Sequence, residues 1–124
     1  MQVSSQVIPD ILDLSPGTYT ENCPTRVVLD HVTSKWGVLV LVALTGGRLR
    51  WGELRRAVDG ISEKMLAQTL RTLERDGLVH REAQPTIPPR VDYELTLLGH
   101  ELAEHLTPLL RWIAGHAEEM LADG

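Results

Sequence analysis

The hydrophobic pattern is most regular between Trp51 and Asp76, where it predicts two helices joined by a tight turn. Trp51, Leu54 and Val58, with Ile61 just beyond, recur at helical spacing and lay one apolar stripe along one face. Asp59-Gly60 reads as the turn, because glycine takes backbone angles that other residues avoid. Ser62 then stands where an N-cap belongs, offering a hydroxyl to the unpaired amides of a new helix. The capping box is incomplete, since Met65 occupies the position where Glu or Gln would close it. Leu66, Leu70 and Leu73 share one face of the second helix. At roughly 100° per residue, Lys64, Gln68, Arg71 and Arg75 fall together on the opposite face.

The flanks carry weaker but consistent patterns. Residues 1–22 read as an N-terminal arm, flexible or docked on a partner subunit, in which Ile8, Ile11, Leu12 and Leu14 make at most a short turn. Pro24 suits a first helical position, which makes Cys23 the N-cap of a short helix through Val27, Val28 and Val32. A second helix is expected from Lys35 to Leu44, with Trp36, Leu39, Val40 and Ala43 inward, stopped by Gly46-Gly47. Arg48 to Arg50 reads as a short strand.

After Gly77, a helix cap, Leu78 to Ala83 and Val91 to Leu95 read as strands, the latter alternating apolar and acidic residues. The Pro-rich loop between them makes a wing, with Arg90 near its tip, placed to enter a minor groove or bind a phosphate. Thr96 is a good N-cap for a final helical region, Leu97 to about Leu121, which Thr107-Pro108 either kinks or restarts. Its apolar band is too wide for a small domain to bury alone. Leu102, Leu106, Leu109, Leu110, Ile113 and Met120, with Trp112 at the seam or beside it, are therefore read as a dimer interface.

Composition changes this picture in two places. The chain has 124 residues, one cysteine and a net charge of −5, which at first argues against nucleic acid. The distribution reverses that: residues 48–90 hold nine Lys and Arg against six Asp and Glu, a local +3, while residues 91–124 stand at −6. Basic charge thus gathers on the paired helices and the wing. The lone Cys23 cannot form an intrachain disulfide, and no apolar run approaches the ~20 residues of a membrane span. With no signal-like start, a cytoplasmic protein is expected.

A helix buried along leucines that presents Lys, Gln and Arg outward suits a major groove, where Arg and Lys bond guanine and Gln bonds adenine. The motifs CPTRVVLDHVTSKW, GELRRAVDGISEKMLAQTLRTLERDGLVHRE and PPRVDYELTLLG, in this order, resemble the HxlR-type winged helix-turn-helix regulators, relatives of the MarR group. The resemblance spans Cys23 to about Glu119. It implies a homodimeric bacterial DNA-binding protein paired through N- and C-terminal helices. It also implies that Ser62, Lys64, Met65, Gln68 and Arg71 line the recognition helix, and it sets Arg90 in the family's wing motif. Some members sense electrophiles or oxidants through the cysteine before proline, here Cys23. Trp51-Gly52 departs from the family's usual Phe plus polar residue, and the arm is longer than typical.

The expected architecture is therefore mainly α with a small β-wing. It comprises an arm over residues 1–22, a winged helix-turn-helix over 23–96 and a dimerisation region over 97–124. The expected function is regulation of transcription, with repression favoured, by a homodimer on a pseudo-palindromic double-stranded operator. The signal would be an oxidant, an electrophile or a small ligand. The alternative is a winged-helix module that uses the same face for protein partners. No cofactor, metal or catalytic set is expected. His100 and His105 are five apart and point about 140° away from one another. His31, His80 and His116 have no ligand-like spacing. No Gly-rich phosphate loop or nucleophile elbow appears.

Overall fold

Three side-chain hydroxyls set where the main helices begin. Ser34 Oγ accepts the Gly37 N–H at 3.0 Å, Ser62 Oγ the Met65 N–H at 3.0 Å, and Thr96 Oγ1 the Gly99 N–H at 3.0 Å. Each satisfies one of the amides that a helix start leaves unpaired. In the computed structural model, which describes residues 20–122, the elements follow in the order expected. They are α1 (Pro24–Val32), α2 (Lys35–Ala43), β1 (Leu49–Arg50), α3 (Trp51–Ala57), α4 (Glu63–Arg75), β2 (Val79–Gln84), β3 (Arg90–Leu95) and α5 (Leu97–Leu121). A single 3-10 turn, Leu44–Gly46, closes α2. Most of the expected N-terminal arm lies outside the described residues. The chain divides into two compact units, the first ending at Asp30 and the second beginning at His31. The sheet and helices α2 to α5 all belong to the second.

The three strands form one antiparallel sheet in the order β1-β3-β2, with Leu49 opposite Tyr93 and Val79 opposite Leu95. Side chains alternate across a strand, so Val79, Tyr93 and Leu95 line one face with Leu49. They pack on a core built from Val40, Leu41 and Leu44, Leu54, the α4 leucines, and Ala103 and Leu106 of α5. α2 is apolar nearly all round, and Leu41, which a one-faced reading omits, is fully buried there. No single helix among the described residues is long and apolar enough to cross a membrane.

α4 ends in a Schellman motif. The Leu78 N–H donates to the Leu73 carbonyl at 2.9 Å and the Gly77 N–H to the Glu74 carbonyl at 3.0 Å. This needs a left-handed residue, and Gly77 has φ +78°. Asp76, the C-cap residue, is held by His31, whose Nδ1 lies 2.7 Å from its carboxylate. α5 begins at once beyond the sheet and runs unbroken through Pro108. The helix therefore does not restart at Thr107-Pro108.

Candidate nucleic-acid interface

Leu66, Thr69, Leu70 and Leu73 are the buried residues of α4, and Leu66 and Leu73 are wholly shielded. That seam fixes the rotation of the helix, so Lys64, Gln68, Arg71 and Arg75 are exposed on the other side, as the spacing predicts. None of Lys64, Arg71 and Arg75 takes part in an ion pair among the described residues; Arg55 takes Glu63 at 4.0 Å instead. The site residues divide at the helix start. Ser62 is exposed; its hydroxyl oxygen accepts the cap bond, and its O–H is still free to donate outward. Met65 is half-buried and packs on the core, so only part of it reaches the outer face.

The wing departs from expectation at Arg90. This residue is not at the tip: it opens β3, pairs across the hairpin with Gln84, and its Nε donates to Asp92 Oδ1 at 3.1 Å. The tip is Ile87, fully exposed. Alternation puts Asp92 on the outer face of the sheet, where solvent exposure is expected, yet it is only 3% exposed. Arg48 at 3.6 Å, Arg90, and the Gln84 amide at 3.4 Å cover it. Arg90 shares this face by its spacing of two residues, but Arg48, just before β1, and Gln84 on β2 reach Asp92 only through the pairing of the strands, of which sequence spacing carries no signal. Asp92 thus anchors two guanidinium groups, and Arg90 remains 45% exposed with further N–H donors to offer.

Two open grooves flank Trp51. One, about 570 Å³, lies between the start of α3 and the wing loop, bordered by Arg50, Thr86, Ile87, Pro88 and Arg90. The other, about 690 Å³, lies between α3 and the start of α4, bordered by Arg55, Arg56, Asp59 and Ser62. Sequence spacing does not single out Arg50, Arg55 and Arg56, although they belong to the basic stretch. Tyr93 is buried and Trp36 and Trp51 pack against the core, so these aromatics are structural.

Two further sets of candidates lie elsewhere. On α5, Leu106 is buried and Leu102 half-buried, both against their own chain's core, so they are not a free face. Leu110 is half-buried. Leu109, Trp112, Ile113 and Met120 are exposed, at 53%, 54%, 43% and 62%. The reason is length: the sheet and α2 cover only the first half of a 25-residue helix. Cys23 sits before α1, partly exposed. The Arg26 backbone N–H bonds its sulfur and holds the thiol below its usual range. Burial opposes this, and the Thr25 N–H and hydroxyl and the Arg26 charge add to it.

Comparison with known proteins gives the same answer from a separate direction. The profile of the HxlR-like helix-turn-helix family matches residues 31–120. The HTH-type transcriptional regulator YtfH of Escherichia coli K12 is 52% identical over 104 residues, 84% of this chain and 82% of that protein. The structure of the putative transcriptional regulator ytfH from Salmonella typhimurium superposes with TM-score 0.79 at 49% identity, covering 84% of this chain and 93% of that one. The redox regulator HypR in its oxidised form superposes with TM-score 0.69 at 35% identity, covering 75% and 96%. With its buried leucine seam, its basic outer face and its three-stranded wing, this chain belongs to the HxlR-like helix-turn-helix family of transcriptional regulators.

Proposed function

We propose that the protein is a cytoplasmic homodimer that represses transcription by occupying a pseudo-palindromic operator, reading bases with α4 and gripping the backbone with the wing. Its role is binding, not catalysis. The observation that carries this is the α4 face: three cations and Gln68 stand exposed and unpaired among the described residues, opposite a fully buried leucine seam. On this reading residues 23–96 bind DNA, residues 97–124 pair the subunits, and residues 1–22 form an arm. Arg71→Ala should lose about 1–3 kcal/mol of operator affinity and relax preference at one base position. Arg90→Ala should weaken all duplexes alike and flatten the salt dependence. Gel shifts on DNA flanking the protein's own gene measure both. Unchanged affinity in both variants would overturn the reading and leave these faces to a protein partner.

The bare half of α5 supports pairing, since contiguous exposed apolar residues rimmed by charge mark interaction surfaces. Trp112→Glu should raise the dimer dissociation constant by about thirtyfold or more, the scale of an interface hot spot. Sedimentation velocity across a concentration series checks this, and a wild-type protein that stays monomeric throughout would end the dimer proposal.

Cys23 is the proposed sensor. Its lowered thiol supplies more thiolate at neutral pH than an ordinary cysteine, and thiolate is the form that oxidants and electrophiles attack. Diamide should lower operator affinity in the wild type and not in Cys23→Ser. Equal responses in the two proteins would return Cys23 to a structural role.

A further inference from the structure

We propose that His80, Glu82 and Glu94 bind one divalent transition-metal ion, such as Zn²⁺ or Co²⁺, on the outer face of the wing hairpin. Nothing in this site rests on the DNA-binding reading. The register creates it. His80 lies directly opposite Glu94 on the paired strands, and Glu82, two residues on, projects from the same face. The three side chains each offer one ligand atom, and those atoms lie within 4.8 Å of one another. His80 Nε2 and Glu82 Oε1 are already 3.3 Å apart. Two donors on a tetrahedral ion, each at about 2.0–2.1 Å, stand roughly 3.3 Å from one another, so this edge needs almost no movement. Glu94 supplies the third donor, its ligand atom lying within 4.8 Å of the other two.

The donor set selects the ion. One imidazole nitrogen with two carboxylates suits Zn²⁺ and Co²⁺, while Mg²⁺ and Ca²⁺ prefer oxygen alone. Water completes the sphere, because His80, Glu82 and Glu94 are partly open to solvent. The backbone beneath is held by Val79, Tyr93 and Leu95 in the core, so the donors are carried on a fixed frame. One group competes. Arg48 Nη2 bonds Glu94 Oε2 at 3.0 Å and would lose part of that contact to the ion. Arg48 has Asp92 as a second partner at 3.6 Å. The site is invisible to spacing, since it joins residues from two strands across a loop.

The test is titration of the tag-free full-length protein with CoCl₂, followed by visible absorption, then displacement by ZnCl₂. The expected result is one Co²⁺ per chain. His80→Ala and Glu82→Gln should each weaken binding at least tenfold, roughly the effect of disturbing even the outer shell of a metal site. Arg48→Gln should tighten it several-fold by removing the competing cation. Cys23→Ser should titrate as wild type. Circular dichroism confirms that the exposed-site variants are folded. No saturable binding up to about 1 mM, the limit of weak affinity, would overturn the proposal. So would a wild-type titration by His80→Ala, which would mean an adventitious ion only, held at other surface histidines.

Discussion

Gly99→Ala should destabilise the protein by at least about 3 kcal/mol, at the upper end for overpacking, and lower its melting temperature by about 10 °C. A methyl group added at Gly99 would lie 2.1 Å from the Leu78 carbonyl oxygen and 3.1 Å from its carbon. Both atoms are backbone and cannot swing away. The Leu78 carbonyl also accepts the Thr96 N–H at 3.1 Å, and the Leu78 N–H is held by Leu73. Thr96 ties the same junction from the other side, its hydroxyl bonding the Gly77 carbonyl at 2.7 Å. Relief of the clash would therefore have to separate α5 from the exit of α4. Gly52→Ala is the control. A methyl there meets only the Arg56 side chain at 3.7 Å, and alanine favours a helix over glycine by up to about 1 kcal/mol. Thermal unfolding at matched protein concentration measures both variants. A Gly99→Ala melting point within ~2 °C of wild type would contradict the close approach of α5 to the Leu78 backbone.

Asp92→Ala is the second large effect. The carboxylate is almost wholly buried, and it accepts from Arg90 and Gln84 while facing Arg48. Removing one partner of a fully buried ion pair costs about 3–5 kcal/mol. Here the guanidinium groups are 43% and 45% exposed and can rehydrate, so the expected loss is about 2–3 kcal/mol. Arg48 keeps Glu94, whereas Arg90 loses the ion pair that holds it against the sheet and becomes mobile. Asp92→Ala should therefore weaken DNA binding about as much as Arg90→Ala does, and the double variant should be no worse than either. Urea denaturation with anisotropy titrations on the same samples gives both numbers. A stability change under ~0.5 kcal/mol, the range of an ordinary surface substitution, would show that Asp92 anchors nothing.

These two residues also mark what the sequence makes legible. Helix α4 is readable because its cap, its leucine seam and its polar stripe all obey one local period. Gly77 is readable because a helix end has a local chemistry. Asp92 is not: alternation assigns it to the solvent face beside Arg90, and only the pairing of the strands brings Arg48 and Gln84 over it. The same register hides the meeting of His80 with Glu94. Arg90 looks like a tip residue in the sequence because the loop's prolines hide where pairing resumes. Leu106 looks available for a partner because a one-dimensional stripe does not say how far along α5 the sheet and α2 reach. In each case the missing information is which distant residues share a face.

The most direct test of operator binding is selection of random duplex DNA by the full-length protein, followed by titration of the selected duplex at several salt concentrations. The expected product is an inverted repeat with half-site centres about 10 bp apart, one helical turn. Log affinity should fall against log salt with a slope of about −4 or steeper, as at least four or five neutralised phosphates require. No enrichment over the starting library, or an affinity indifferent to salt, would contradict an operator-binding role.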